Sequence, residues 1–173
     1  PVTLPAHTTL LTGLLPHQHG VRTNGLFALG PELPTLAERL SGAGYRSGAF
    51  VSAAVLDRSY GLARGFEHYD DAVDTDPGGS HFARRTGART VDAALAWLAA
   101  QPAEAPVLLW VHLFDAHLPL APPEPFASRH ADPYQAAIAH LDAQTSRLLE
   151  AVGARRGAPL VAITADHGEG NGD

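Results

Sequence analysis

The residues of this chain best suited to chemistry lie at its two ends. Thr3 stands two residues before Pro5 in the run Thr3-Leu4-Pro5-Ala6-His7-Thr8-Thr9-Leu10-Leu11-Thr12-Gly13. Proline is favoured in a first helical turn and glycine just past a last one, so the run predicts a short helix with Thr3 at its N-terminus. Free N–H groups and the positive dipole end favour negative charge there, which suits a hydroxyl that has to act as an alkoxide. A threonine hydroxyl is a poor nucleophile at neutral pH and needs a general base or a metal ion to lose its proton. At the other end an apolar run, Leu160-Val161-Ala162-Ile163, breaks into Ala165-Asp166-His167-Gly168-Glu169-Gly170. Where a strand gives way to a glycine-rich loop, neighbouring side chains are no longer forced to opposite faces, so Asp166 and His167 can reach one cation. Carboxylate plus imidazole suits manganese, iron or zinc better than calcium alone. Each end also has a plainer reading, Thr3 as a helix N-cap and Asp166-His167-Gly168 as a turn.

The elements between these ends follow from periodicity. Residues 16–30 are rich in His, Gly and Asn and read as a loop. Two imidazoles in that loop, His17 and His19, lack further close ligands and make a weak metal site. Thr35-Leu36-Ala37-Glu38 is a capping box opening a short helix through Leu40, with Leu36 and Leu40 expected to face inward and Gly42 or Gly44 to end it. Residues 45–52 contain a short apolar run, Ala49-Phe50-Val51, that reads as a strand, and 53–86 read as an irregular surface excursion with an acidic cluster, Asp70, Asp71, Asp74 and Asp76. That cluster lacks a calcium-loop pattern and reads as a solvated charge run. Residues 90–100 are helical. Residues 106–114 and 159–164 are apolar runs expected to be strands buried on both faces. Residues 132–152 form the longest helix, with Ile138, Leu141, Thr145, Leu148, Leu149 and Val152 at helical spacing. Strands alternating with helices predict an α/β, three-layer sandwich with a mainly parallel central sheet.

Composition narrows the function. A chain of 173 residues, 45% apolar and 17% charged, is long enough for one domain with a real core. A net charge of −6 argues against a nucleic-acid partner, because phosphate backbones are bound mostly by Lys and Arg. With no cysteine, disulfides and thiol catalysis are excluded. No signal peptide and no membrane-length apolar span is present, although the chain opens inside a motif, so residues upstream could carry either. The compartment stays open, with a periplasmic or membrane-anchored full-length protein among the options.

Thr3-Leu4-Pro5-Ala6-His7 followed by Thr12-Gly13 and Leu15-Pro16-His17-Gln18-His19-Gly20-Val21, with Asp166-His167-Gly168-Glu169 far downstream, resembles the sulfatase family of the alkaline phosphatase superfamily. That family's nucleophile segment usually has Cys or Ser where this chain has Thr3, and Arg where it has His7. His112-Leu113-Phe114-Asp115-Ala116-His117-Leu118-Pro119 looks like the family's His-x-x-Asp-Pro-His-x-Pro segment, with Ala116 in place of the Pro. Leu33-Pro34-Thr35-Leu36-Ala37-Glu38 and residues 56–69 also look like bacterial sulfatase-like proteins.

The resemblance implies an alkaline phosphatase-like fold and a hydrolase of sulfate or phosphate esters. Thr3 would be the nucleophile and, with Asp166 and His167, a ligand of a divalent metal ion: manganese, zinc or calcium. His117 would face the substrate's sulfate or phosphate group, as an oxyanion donor or as the acid protonating the leaving group. Asn24 stands where the nucleotide pyrophosphatase and phosphodiesterase branch places an Asn that hydrogen-bonds phosphoryl oxygens, although Asn24-Gly25 is equally a turn dipeptide. His7 would orient Thr3, bind substrate or approach the metal shell, and His112 would pack behind the site. Threonine cannot yield the formylglycine aldehyde of ordinary sulfatases, which makes phosphodiesters and phosphonates as credible as sulfate esters. The implied substrate is a small-molecule, carbohydrate or lipid ester. A non-catalytic anion-binding homologue is the competing class. By the family's standard, residues 1–173 are a partial sulfatase-like catalytic domain, missing a first metal-ligand strand and a C-terminal part. They are therefore expected to bind metal weakly and to be inactive alone.

Overall fold

Satisfied helix ends mark where the chain turns. The computed structural model describes residues 2–74, 83–155 and 157–168. Helix α1 (Thr3–Thr12) starts from an extended Val2 and stops at Gly13, whose φ of 72° lets its N–H return to the Thr9 carbonyl. A four-residue helix, α2 (Pro16–His19), interrupts the segment read as a loop. Thr35 opens α3 (Leu36–Gly42): its hydroxyl accepts from Glu38 N–H at 3.1 Å while the Glu38 carboxylate accepts from Thr35 N–H at 2.7 Å.

Three parallel strands form the sheet, with β1 (Arg46–Val51) in the centre between β2 (His68–Asp70) and β3 (Val107–His112). Phe50 pairs with Asp70 on one side and with Val111 on the other. Alternation along β1 serves two layers at once. Gly48 and Phe50 face Trp97 of α4 (Gly87–Ala99), and a Cβ on Gly48 would come within 2.9 Å of that indole. Ala49 and Val51 turn the other way and join Leu4 and Leu11 of α1 in the main core, with Leu56, Leu62, Trp110 and Phe114. Behind α4 lies α6 (Pro133–Gly153), preceded by the short α5 (Phe126–Arg129). Helices therefore cover a parallel sheet on both faces, the α/β layering that periodicity predicted.

Several expectations fail in detail. Residues 53–86 are not wholly irregular, because they hold β2 and two 3-10 turns, Ala54–Leu56 and Arg58–Tyr60. The acidic cluster is tied to arginines: Asp70 to Arg85 at 2.9 Å, Asp71 to Arg58 at 2.6 Å and Asp74 to Arg89. Asp76 lies outside the described residues. In α3 it is Ala37 that is fully buried, while Leu36 is 42% exposed. In α6 the buried face is Ala136, Ala137, His140 and Gln144, with Ile138 and Leu149 out. Strand β3 is only half-buried along most of its length. Residues 159–164 are not a buried strand: they pair with no strand among the described residues, and Leu160 and Ile163 are 100% and 70% exposed. An apolar run becomes a sheet strand only when a neighbour supplies its hydrogen bonds, and periodicity alone cannot supply the neighbour. Among the described residues no helix is long and apolar enough to cross a membrane.

Candidate active site

Thr3 is the first residue of α1, and its hydroxyl does not cap the helix. The Asn24 carboxamide does that work, its Oδ1 accepting from Leu4 N–H at 2.9 Å. The plainer N-cap reading of Thr3 therefore fails, and the hydroxyl is turned toward the far end of the chain. Thr3 Oγ1 lies 3.3 Å from His167 Nε2, across 164 residues of sequence. His7 sits one helical turn on, on the same face as Thr3. Its Nε2 lies 3.7 Å from Asp166 Oδ2, which is in turn 3.5 Å from His167 Nε2. A cleft of about 280 Å³ opens beside this group, lined by Ala6, His7, Thr9, Leu10, Thr164, Ala165 and Asp166.

The protonation pattern follows from the partners. His167 Nδ1 lies 2.8 Å from the Gly168 carbonyl, an acceptor only, so the proton is on Nδ1 and the lone pair of Nε2 faces Thr3. His7 is 7% exposed and neither of its ring nitrogens has a hydrogen-bond partner. Burial lowers its pKa to about 4, against the opposing pull of the Asp166 carboxylate and with a further push from His167. His112, at the end of β3, packs edge-on against His7 at 4.9 Å between ring centroids. Burial holds its pKa well below the usual imidazole range, with His7 and His167 adding to the effect. Both rings are therefore neutral at pH 7.

The described contacts of His117 are within its own loop: its ring stacks on Phe114 at 4.3 Å, and its Nδ1 lies 2.6 Å from the Leu118 carbonyl. His17 is exposed, whereas His19 is buried and takes part in local structure. His19 Nδ1 accepts from Val21 N–H at 3.1 Å, which leaves Nε2–H to donate to Thr9 Oγ1 at 3.1 Å. That bracket ties α1 to the segment carrying Asn24. Glu169 to Asp173 lie outside the described residues.

The donors suit a divalent ion in part. Asp166 offers a carboxylate, His167 an imidazole lone pair held by a backbone carbonyl, and Thr3 a hydroxyl, the mixture that borderline cations accept. Among the described residues, however, no three His, Asp or Glu side chains close into a metal-ligand cluster.

Sequence reasoning missed Arg84, Arg85 and His140. Arg85 is buried, with its guanidinium on Asp70 and the Thr90 hydroxyl. His140 is buried on α6 at 3.5 Å from Asp115. A histidine inside the alanine-rich turn of α6 was the available signal, yet neither of its buried ring nitrogens makes a hydrogen bond.

A parallel sheet layered by helices on both faces is an α/β fold similar to that of alkaline phosphatase-like sulfatases. The chain belongs to the Sulfatase family, whose family model matches residues 1–173. Solved structures share the fold at low identity. Phosphonate monoester hydrolase of Agrobacterium radiobacter is 17% identical with a TM-score of 0.64, covering 86% of this chain and 49% of its own. BT1596, a 2-O GAG sulfatase, is 18% identical with a TM-score of 0.61, covering 90% and 45%. A Bacteroides thetaiotaomicron protein of glycosaminoglycan metabolism is 16% identical with a TM-score of 0.60, covering 88% and 46%. The chain thus spans about half the length of these structures. No curated protein matches it.

Proposed function

We propose that the chain supplies the nucleophile and part of the metal shell of a sulfatase-family hydrolase of sulfate or phosphate esters. The observation that carries this is the approach of Thr3 Oγ1 to His167 Nε2 at 3.3 Å, beside Asp166. Asp166, His167 and Thr3 would hold a divalent ion, which when bound supplies the Lewis acidity that makes a threonine hydroxyl ionise near neutrality.

Thr3 Oγ1 gives up its proton to solvent and forms a bond to the sulfur or phosphorus while the bond to the ester oxygen breaks. The departing alkoxide takes a proton from His117, and water later hydrolyses the covalent threonine ester. The Asn24 NH2 group and the N-terminus of α1 stabilise charge on the transferred group without adding a proton. His7 and His112, both neutral, keep the back of the site free of a competing cation.

Phosphorus esters are the favoured second reading within this class. Threonine cannot become formylglycine, and one structure sharing the fold is a phosphonate monoester hydrolase. The test is turnover by the whole polypeptide that carries these residues, against paired aryl phosphate, phosphodiester and sulfate substrates. Thr3→Ala is expected to lose on the order of 10³-fold or more in kcat, with Thr3→Ser partly active. Undiminished turnover in Thr3→Ala would eliminate the mechanism.

A further inference from the structure

The loop after β3 is gripped from two sides. On one side Arg84 Nη1 donates to the His117 carbonyl at 3.0 Å and Nη2 to the Pro119 carbonyl at 2.5 Å. These two carbonyls bracket Leu118, whose own carbonyl accepts from His117 Nδ1. On the other side Asp115 Oδ2 accepts from Gly87 N–H at 2.8 Å, at the start of α4, while His140 Nε2 lies 3.5 Å from Asp115 Oδ1 without making a hydrogen bond. A Cβ on Gly87 would come within 2.7 Å of that carboxylate, so the contact depends on glycine. His140 is 3% exposed and packs edge-on against Phe126 at 5.2 Å, which gives its ring no route to solvent.

Arg84 itself is held by the sheet. The neighbouring Ala83 carbonyl accepts from Ala54 N–H at 2.9 Å, and Arg85 N–H donates to the Ser52 carbonyl at 3.0 Å, just past the end of β1. A fork of two parallel donors on a fixed strand end fixes both position and angle of what it holds, which a single point donor does not. We infer that Arg84, together with Asp115 anchored on Gly87 N–H, is the device that fixes the place of His117, the acid of the function proposed above. These are positioning residues, acting through His117, and the inference rests on the function proposed above only in the choice of His117 as acid.

The test uses the whole polypeptide with Arg84→Ala and Arg84→Lys. In Arg84→Ala, kcat is expected to fall about 10- to 100-fold with KM within about 2-fold, since a misplaced catalytic group costs rate rather than ground-state binding. The loss is expected to deepen for esters of poorly acidic alcohols, as in His117→Ala, because only those need the proton. Arg84→Ala combined with His117→Ala should be no slower than His117→Ala alone. Arg84→Lys, which keeps a donor, should recover part of the rate that Arg84→Ala loses. It also carries the test should Arg84→Ala not fold.

A second readout needs no activity. The His117 ring lies over Phe114, at 4.3 Å and 20° between planes, so its proton signals are shifted by the ring current. Assigned by their loss in His117→Ala, those signals should move toward free histidine in Arg84→Ala. Absence of hydrolysis by the unsubstituted polypeptide would defeat the proposed function and leave the ring signals to decide the positioning role. Unmoved ring signals overturn the inference, as does a rate loss in Arg84→Ala that is uniform across leaving groups or adds to that of His117→Ala.

Discussion

Asn24 illustrates at the scale of one residue how structure and chemistry are divided between two ends of a side chain. Its oxygen takes Leu4 N–H, one of the unpaired donors of the first turn of α1, and under the proposed function its NH2 group would donate to an anionic substrate. Asn24→Ala should cost about 1 kcal/mol of stability, read from urea midpoints, and should also slow turnover. Asn24→Asp separates the two roles. It keeps the acceptor and adds a charge that the helix N-terminus favours, so stability should hold, while KM for an anionic ester rises through repulsion. Equal loss of stability in both variants would refute this division. Thr3, Asp166 and His167 were legible as candidates because their signals are local: a proline and glycine pair around one helix, and an apolar run breaking into glycines. Arg84 and His140 were not, because an arginine or a helical histidine acquires meaning only from partners such as His117 and Asp115, which sequence spacing does not identify.

At the scale of elements, α3 and the turn at Gly65 were set by chemistry that the sequence displays in one case and conceals in the other. The Thr35 capping box could be read directly. That the buried Thr35 hydroxyl also donates to the Arg64 carbonyl at 2.9 Å could not. Gly65 has a φ of 84°, and a Cβ there would stand 2.1 Å from Glu38 N. Gly65→Ala should therefore destabilise by roughly 3 kcal/mol or more, combining left-handed strain with a backbone clash. Thr35→Ala should cost about 1–2 kcal/mol. Denaturant midpoints in the reverse order would show that the turn relaxes freely. The packed face of α6 was misread for a related reason: its large apolar residues stand at helical spacing, yet the helix packs through Ala136 and Ala137, with His140 and Gln144 beside them. Small side chains allow close approach between helices, and a ranking by hydrophobicity places them last.

Across the whole molecule, the two chain ends meet at a site with few charges to hold a cation. With one carboxylate, one imidazole lone pair and one hydroxyl in contact, calorimetric titration of residues 1–173 with manganese or zinc should give weak binding. Tight one-to-one binding would mean that the site closes further than the described contacts do. The same convergence makes the fold sensitive to acid. Burial lowers the pKa of His7 to about 4 and holds that of His112 well below 6.5, and burial also lowers His19, whose Nδ1 must stay unprotonated to accept from Val21. The unfolded chain titrates these groups near 6.5. Well above that value both states are neutral and the stability is complete. As pH falls below 6.5 the unfolded chain takes up protons that the fold refuses, so stability declines. The contribution of His7 levels off only near pH 4, where the native ring protonates too, after a loss of roughly 3 kcal/mol from that residue. Urea midpoints measured from pH 7.5 to 4 should therefore fall, and His7→Asn should flatten the slope across that interval. An unchanged slope in His7→Asn would mean that the buried imidazole protonates at no cost, which a ring facing His112 and His167 at the end of the core does not permit.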